Sequence, residues 1–255
     1  MRRATLAAAV AALTLLAGCG GEESAAPPTE TETTPPAETT DLSVYWLLDG
    51  KVWPVLREVE ETEAVAEAAL EELLAGPTQQ EADELSLTTA IPEGAELEAV
   101  SVEDGVATVE LDGFEEASFA AFAQVVHTLT QFPTVETVEL NGTTKTRADF
   151  EAEAPAILVE SPRFFEDVDN PLRAVGTANT FEATFQYELA DTDGRIVDQG
   201  FVTATSGSGE RGTFDFTTNE YEIPFDGVGA LFVFELSAED GSRINLVEIP
   251  VRMSR

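Results

Sequence analysis

Cysteine, histidine and positive charge are nearly missing from this chain of 255 residues, which holds one Cys, one His and 13 Lys plus Arg against 49 Asp plus Glu. A single thiol cannot close an internal disulfide or build a multi-cysteine metal site. A single histidine, His127, rules out a multi-histidine metal centre. The formal charge of −36 repels phosphate polymers, and only Lys51, Arg57, Lys145 and Arg147 lie between Leu42 and Phe150. Nucleic-acid binding needs clustered cations that release counterions, so that class is excluded. The same scarcity argues against folded domains lying on anionic lipid. Acidity of this degree fits a saline habitat or a cationic partner alike. Long apolar runs are also scarce: the one at Ala4–Ala17 is too short to span a bilayer as a mature helix.

The position of the single cysteine gives it meaning. Arg2 and Arg3 form a charged start, Ala4–Ala17 an apolar core, and Leu16-Ala17-Gly18-Cys19 ends it in small residues. This order resembles the bacterial lipoprotein signal peptide. The resemblance implies cleavage behind Gly18, lipidation of Cys19 by diacylglycerol and further acylation such as palmitate, and anchoring at the extracytoplasmic face of the cell membrane. An ordinary cleaved secretory signal with an incidental cysteine is the competing reading. Cleavage would remove Arg2 and Arg3 and leave 11 basic against 49 acidic residues, a charge of −38. The acyl chains would then hold the protein while its charge kept the domains off the surface.

After the leader (1–18), residues 19–41 read as an acidic Pro/Thr/Glu spacer. Beyond Cys19 it holds no side chain apolar enough to offset the entropy of ordering. As a flexible coil it would reach about 25 Å, further if proline and charge repulsion extend it. The remaining length and a 43% hydrophobic content allow two domains with cores of their own.

The first domain spans 42–150. Leu42–Leu48 and Lys51–Val59 flank Asp49-Gly50 as a hairpin. From Glu63 the period turns helical, with Val65, Ala66, Ala69, Leu70, Leu73 and Leu74 on one stripe and Glu63, Glu67 and Glu71 opposite as a solvated face; Gly76-Pro77 stops it. A polar loop follows, then a second hairpin about Glu103-Asp104-Gly105. A second helix carries Phe119, Phe122, Val126 and Leu129 on one face, with Ser118 as N-cap and Pro133 as terminator. Val135, Val138 and Leu140 form a last strand, closed by Asn141-Gly142. Two helices on one face of a small sheet would bury both stripes, an α+β fold.

Leu74-Ala75-Gly76-Pro77, Ala90-Ile91-Pro92-Glu93-Gly94, Asp104-Gly105-Val106-Ala107-Thr108-Val109 and Thr128-Leu129-Thr130-Gln131-Phe132-Pro133-Thr134-Val135 resemble, in order, the GerMN domain of sporulation and spore germination. That resemblance implies a non-catalytic envelope module akin to the ring-building domains of secretion-like assemblies.

Residues 155–255 are patterned wholly as β. Phe181, Ala183, Phe185, Tyr187 and Leu189 alternate with polar residues as in a strand with one buried face. Turn signals at Asp193-Gly194, Gly207–Gly212, Asp226-Gly227 and Asp240-Gly241 give the spacing of a β-sandwich. Ser161-Pro162, Val175-Gly176-Thr177-Ala178-Asn179, Gly200-Phe201-Val202-Thr203-Ala204-Thr205 and Arg211-Gly212-Thr213-Phe214 resemble the immunoglobulin-like domain of bacterial spore germination, which commonly follows GerMN. The expected fold is thus a GerMN-like α+β domain followed by an all-β immunoglobulin-like sandwich.

No motif argues for catalysis, a cofactor or a bound metal. Gly207-Ser208-Gly209-Glu210-Arg211-Gly212 has the dinucleotide spacing, but a strand pattern follows where a helix N-terminus would be needed, so it reads as a hairpin loop. Asp191-Thr192-Asp193-Gly194 opens like a calcium loop, yet Arg195 and Val202 occupy ligand positions, and a tight turn fits better. His127, beside the stripe with Gln124 and Gln131, reads as a rim residue rather than a base. Trp46 and Trp53 are expected in the core rather than stacked on sugars. The chain therefore reads as a non-enzymatic, anchored envelope module whose partners are the membrane, through Cys19, and an envelope protein or cell-wall component. A wall-glycan binder, or an accessory to carboxylate-dependent wall hydrolysis, is the alternative.

Overall fold

Two Asp-Gly turns start the architecture. Asp49 (φ 51°) and Gly50 (φ 75°) join β1 (Thr39–Leu48) to β2 (Lys51–Glu60) in an antiparallel hairpin. Asp104 (φ 49°) and Gly105 (φ 85°) join β3 (Glu96–Glu103) to β4 (Val106–Asp112). Positive φ at both central residues gives the twist that antiparallel strands need, which is why Asp-Gly recurs there. The computed structural model describes residues 38–255. The leader, Cys19 and most of the spacer lie outside them. Because β1 begins at Thr39, which pairs with Glu60, Thr39, Thr40 and Asp41 are strand rather than spacer.

Between the hairpins lie α1 (Val65–Ala75), ended by Gly76 at φ 76°, and α2 (Gln79–Leu85). The second helix replaces the expected polar loop. Thr78 and Glu81 close a capping box at its start, which satisfies donors that would otherwise be orphaned. After β4 come α3 (Phe119–Leu129), capped by Ser118 as expected, then β5 (Thr137–Leu140), β6 (Thr143–Lys145) and a 3-10 turn at Arg147–Phe150. The strand order β3-β4-β5-β6 forms one sheet, and β1-β2 stands as a second.

The expected single sheet is thus two, and both helices touch each of them. That changes the burial of α3. A four-residue stripe was expected, yet every residue from Ala121 to Leu129 except Phe122 is buried, while Phe119 is half exposed and packs its ring 4.6 Å from that of Phe150. A helix enclosed on several sides has no solvent face to keep polar.

The second half is a β-sandwich. One sheet has the order β12 (Gly212–Thr217), β9 (Arg173–Ala178), β7 (Ile157–Ser161). The other runs β11 (Ile196–Thr203), β10 (Thr184–Ala190), β13 (Gly227–Leu236), β14 (Arg243–Met253), β8 (Asp167–Val168). Phe185 meets Phe214 at 4.9 Å and Tyr187 meets Phe216 at 4.6 Å across the interior. The strand expected from Phe181 begins only at Thr184. Glu182 and Ala183 adopt positive φ in a short turn, which leaves Phe181 68% exposed.

The halves are packed together. Strand β2 lies against β7, the Trp53 ring lies 6.1 Å from that of Phe164, and Val52 N–H donates at 2.9 Å to Glu153 C=O in the segment that links the halves. The chain is an α+β domain followed by an immunoglobulin-like sandwich.

Candidate functional site

The most concentrated polar chemistry among the described residues lies along the outer edge of β1. One edge of that strand pairs with β2; the other is buried, and buried backbone groups need partners. Side chains of α3 and of the turn just after it supply most of them. Gln131 accepts from Ser43 N–H at 2.6 Å and donates back to Ser43 C=O at 2.5 Å. Thr128 accepts from Tyr45 N–H at 3.1 Å, and Gln124 donates to Tyr45 C=O at 3.0 Å. Leu47 exchanges both backbone bonds with Thr88. Residues 43, 45 and 47 therefore find four different partner residues where a neighbouring strand would have served all of them. Gln124 also accepts from Ala90 N–H at 2.7 Å, which fastens the loop after α2.

His127 lies on the same helix and corrects the expected rim position. It is 2% exposed, and neither ring nitrogen has a hydrogen-bond partner among the described residues. Its ring packs 5.3 Å from that of Tyr45. Burial drives its pKa well below the ordinary value, and the charges of Arg147 and Arg211 push the same way. A neutral, sealed imidazole exchanges no protons with a ligand in solution.

Beyond it, Tyr45, Arg147 and Glu160 tie the halves together. The Tyr45 hydroxyl donates to Glu160 at 2.7 Å and Arg147 donates to the same oxygen at 2.5 Å; Arg147 also reaches Thr130 at 2.6 Å. Burial first, and then the Glu160 charge, raise the Tyr45 phenol far above its ordinary pKa, so it remains a donor. Arg211 fastens the linking segment to the second half by gripping Glu151 with two bonds of 2.8 and 2.9 Å and donating to Pro155 C=O. The grouping of Tyr45, His127, Arg147 and Glu160 carries no local sequence signal, because its members come from β1, α3, the 3-10 turn and β7.

The other expected residues fall as follows. Trp46 and Trp53 are buried, with the Arg57 guanidinium 4.3 Å from the centre of the Trp46 ring. Asp191 is buried and accepts from Asp193 and Arg195 N–H at 3.0 and 2.9 Å, as a turn residue does. Gly207–Gly212 is the loop into β12, and a Cβ on Gly207 would lie 2.5 to 2.6 Å from backbone atoms of Ala183 and Thr180. Close packing therefore explains that glycine, and a strand follows the loop. No cluster of His, Cys, Asp or Glu among the described residues has metal-binding geometry, and no described helix is long and apolar enough to cross a membrane. Cys19 lies outside the described residues.

Residues 43–145 match the sporulation and spore germination family (Germane), and residues 156–242 match the immunoglobulin-like domain of bacterial spore germination. The two halves belong to these two families. The chain is thus built from sporulation and germination domains, in the order GerMN then immunoglobulin-like. No curated protein matches it. Among solved structures, the tandem GerMN domains of the sporulation protein GerM from Bacillus subtilis align at 25% identity with a TM-score of 0.35, covering 41% of this chain and 40% of that one. The chain therefore spans about two fifths of that structure. A putative lipoprotein from Clostridium perfringens aligns at 19% identity and a TM-score of 0.30, covering 44% of this chain and 89% of its own. CopC from Methylosinus trichosporium OB3b aligns at 12% identity and a TM-score of 0.27, covering 39% of this chain and 93% of its own. With scores this low, the assignment rests on the two family matches.

Proposed function

We propose that this chain is a non-enzymatic lipoprotein, held at the extracytoplasmic face of the cell membrane by acylated Cys19, that acts as a binding and assembly module in the cell envelope in a sporulation or germination setting. The observation that carries the reading is the order of parts: a Leu-Ala-Gly-Cys end to an apolar leader, an acidic spacer, and then the two domain families. The burial of Trp46 and Trp53 favours assembly over wall-glycan binding, because it removes both indoles from stacking on a sugar.

Expression of wild type and Cys19→Ala in cells fed an alkyne-bearing fatty acid tests the anchor. The wild type should take up label and sediment with membranes, and the variant should do neither. An unlabelled, soluble wild type would overturn the anchoring. Crosslinking of the wild type in cells, followed by mass spectrometry, should recover one dominant envelope protein. Release of soluble fragments from peptidoglycan by the purified protein would instead favour the hydrolytic alternative.

A further inference from the structure

The strand β3 closes one side of the four-stranded sheet, and its outer edge pairs with no strand among the described residues. Thr137 N–H donates to Gly105 C=O and Asn141 N–H to Val109 C=O, so the alternate residues Gly105, Ala107 and Val109 face β5. Val106, Thr108 and Glu110 then face β3, opposite Glu103, Ser101 and Ala99. The backbone groups of Val100 and Val102 consequently point away from β4, and no described residue bonds to them.

A cavity of about 340 Å³ lies between this strand, the start of α1 and the segment that leads into β5. Val100 and Val102 line it from the strand, Val65 and Ala66 from α1, and Phe132 and Val135 from the segment after α3. An added strand would extend the sheet and set every second side chain on the face that carries this apolar trough, next to Val100 and Val102. The rim chooses the occupant. Glu63 and Glu67 border the trough, and Glu96, Glu98 and Glu103 lie along the strand. None of the ion pairs among the described residues involves them. A second copy of β3 would bring like charges face to face, whereas lysine and arginine would neutralise them.

We propose that β3 is a docking edge for an extended, cationic segment of a partner protein, which pairs with the backbone of Val100 and Val102 and seats alternate apolar side chains against α1. This deepens the reading of the chain as a binding module and rests on it.

The probe is a fluorescent peptide of alternating Lys and Val, about as long as β3, titrated onto the full chain in detergent. It should bind, slow hydrogen exchange at the Val100 and Val102 amides, and weaken with added salt. Val102→Pro removes an edge donor without touching the β4 ladder and should weaken binding about tenfold or more. The Glu98→Lys, Glu103→Lys double variant changes only exposed, unpaired side chains, so its fold is safe, and it should weaken binding by about tenfold at low salt. Absence of binding, binding unchanged in both variants, or protection confined to other strands would overturn the proposal. So would concentration-dependent self-association of the chain that Val102→Pro abolishes, since it would put a second copy on the edge. The assay needs neither membrane nor acylation, so its failure leaves anchoring at Cys19 standing, and failure of anchoring leaves the edge standing.

Discussion

His127 follows Gln124 by three residues and precedes Gln131 by four, so in sequence it belongs to a polar helical face. Its neighbours on that face each bond a backbone group of β1; its own nitrogens bond nothing among the described residues. Burying such a group without a partner costs about 1 to 3 kcal/mol. Burial and the fields of Arg147 and Arg211 keep the folded form neutral, whereas the unfolded chain takes up a proton below its ordinary value near 6.5. Unfolding in acid therefore binds a proton, and stability falls as pH drops through and below that value. His127→Leu should raise stability at neutral pH by about 1 to 2 kcal/mol. Its advantage over wild type should widen from about pH 7 to about pH 5. Urea midpoints measured across that range check both statements, and a gap that narrows in acid would contradict the neutral, buried imidazole.

At the scale of elements, α3 and the turn after it do the work of a strand. Residues 124, 128 and 131 recur at helical spacing, and their side chains meet the period-two backbone groups of Ser43 and Tyr45. Two repeats of different period coincide over only a short stretch, which is why Leu47 turns to Thr88 instead. Gln124→Leu should consequently destabilise the protein by about 2 kcal/mol, although it adds an apolar side chain to a buried helix, because the Tyr45 carbonyl and the Ala90 N–H lose their partner. Chemical denaturation with an unchanged m-value would check it; a neutral result would mean that the edge of β1 finds other partners. The α2 helix teaches a different lesson. Thr78-Gln79-Gln80-Glu81 is a capping-box signature readable in the sequence, but four polar residues after a Gly-Pro stop also resemble a loop. At Phe181 the alternating pattern is real, yet two positive-φ residues delay the strand, and no side-chain pattern announces backbone conformation of that kind.

At the scale of the molecule, the few cations are committed to holding it together. Arg57 is paired with Glu72 and Glu81, Arg147 with Glu160, Arg163 with Glu166, and Arg211 with Glu151. The Arg147 pair joins the two halves between partly buried side chains, and the Arg211 pair fastens the second half to the segment that links them. Arg147→Met leaves the Glu160 carboxylate and the Tyr45 hydroxyl without their cation and should cost about 1 to 3 kcal/mol, less than a fully buried pair because water screens both groups. The halves should melt together in the wild type and separate into two calorimetric transitions in the variant. A single transition in both proteins would show that apolar contacts such as Trp53 with Phe164 couple the halves by themselves.

By itself the sequence determined the hairpins, the helices α1 and α3, the burial of Trp46 and Trp53, the β-rich second half and both domain families. Each of these follows from periodicity, turn chemistry or a contiguous motif, and such signals act between near neighbours in the chain. Tertiary structure decided the rest: that α3 is enclosed rather than amphipathic, that His127 is core rather than rim, that Tyr45, Arg147 and Glu160 meet, and that β3 borders an apolar trough while its outer edge pairs with no strand among the described residues. Burial and pairing of that kind depend on which surfaces arrive from distant segments, and no local pattern of side chains encodes them.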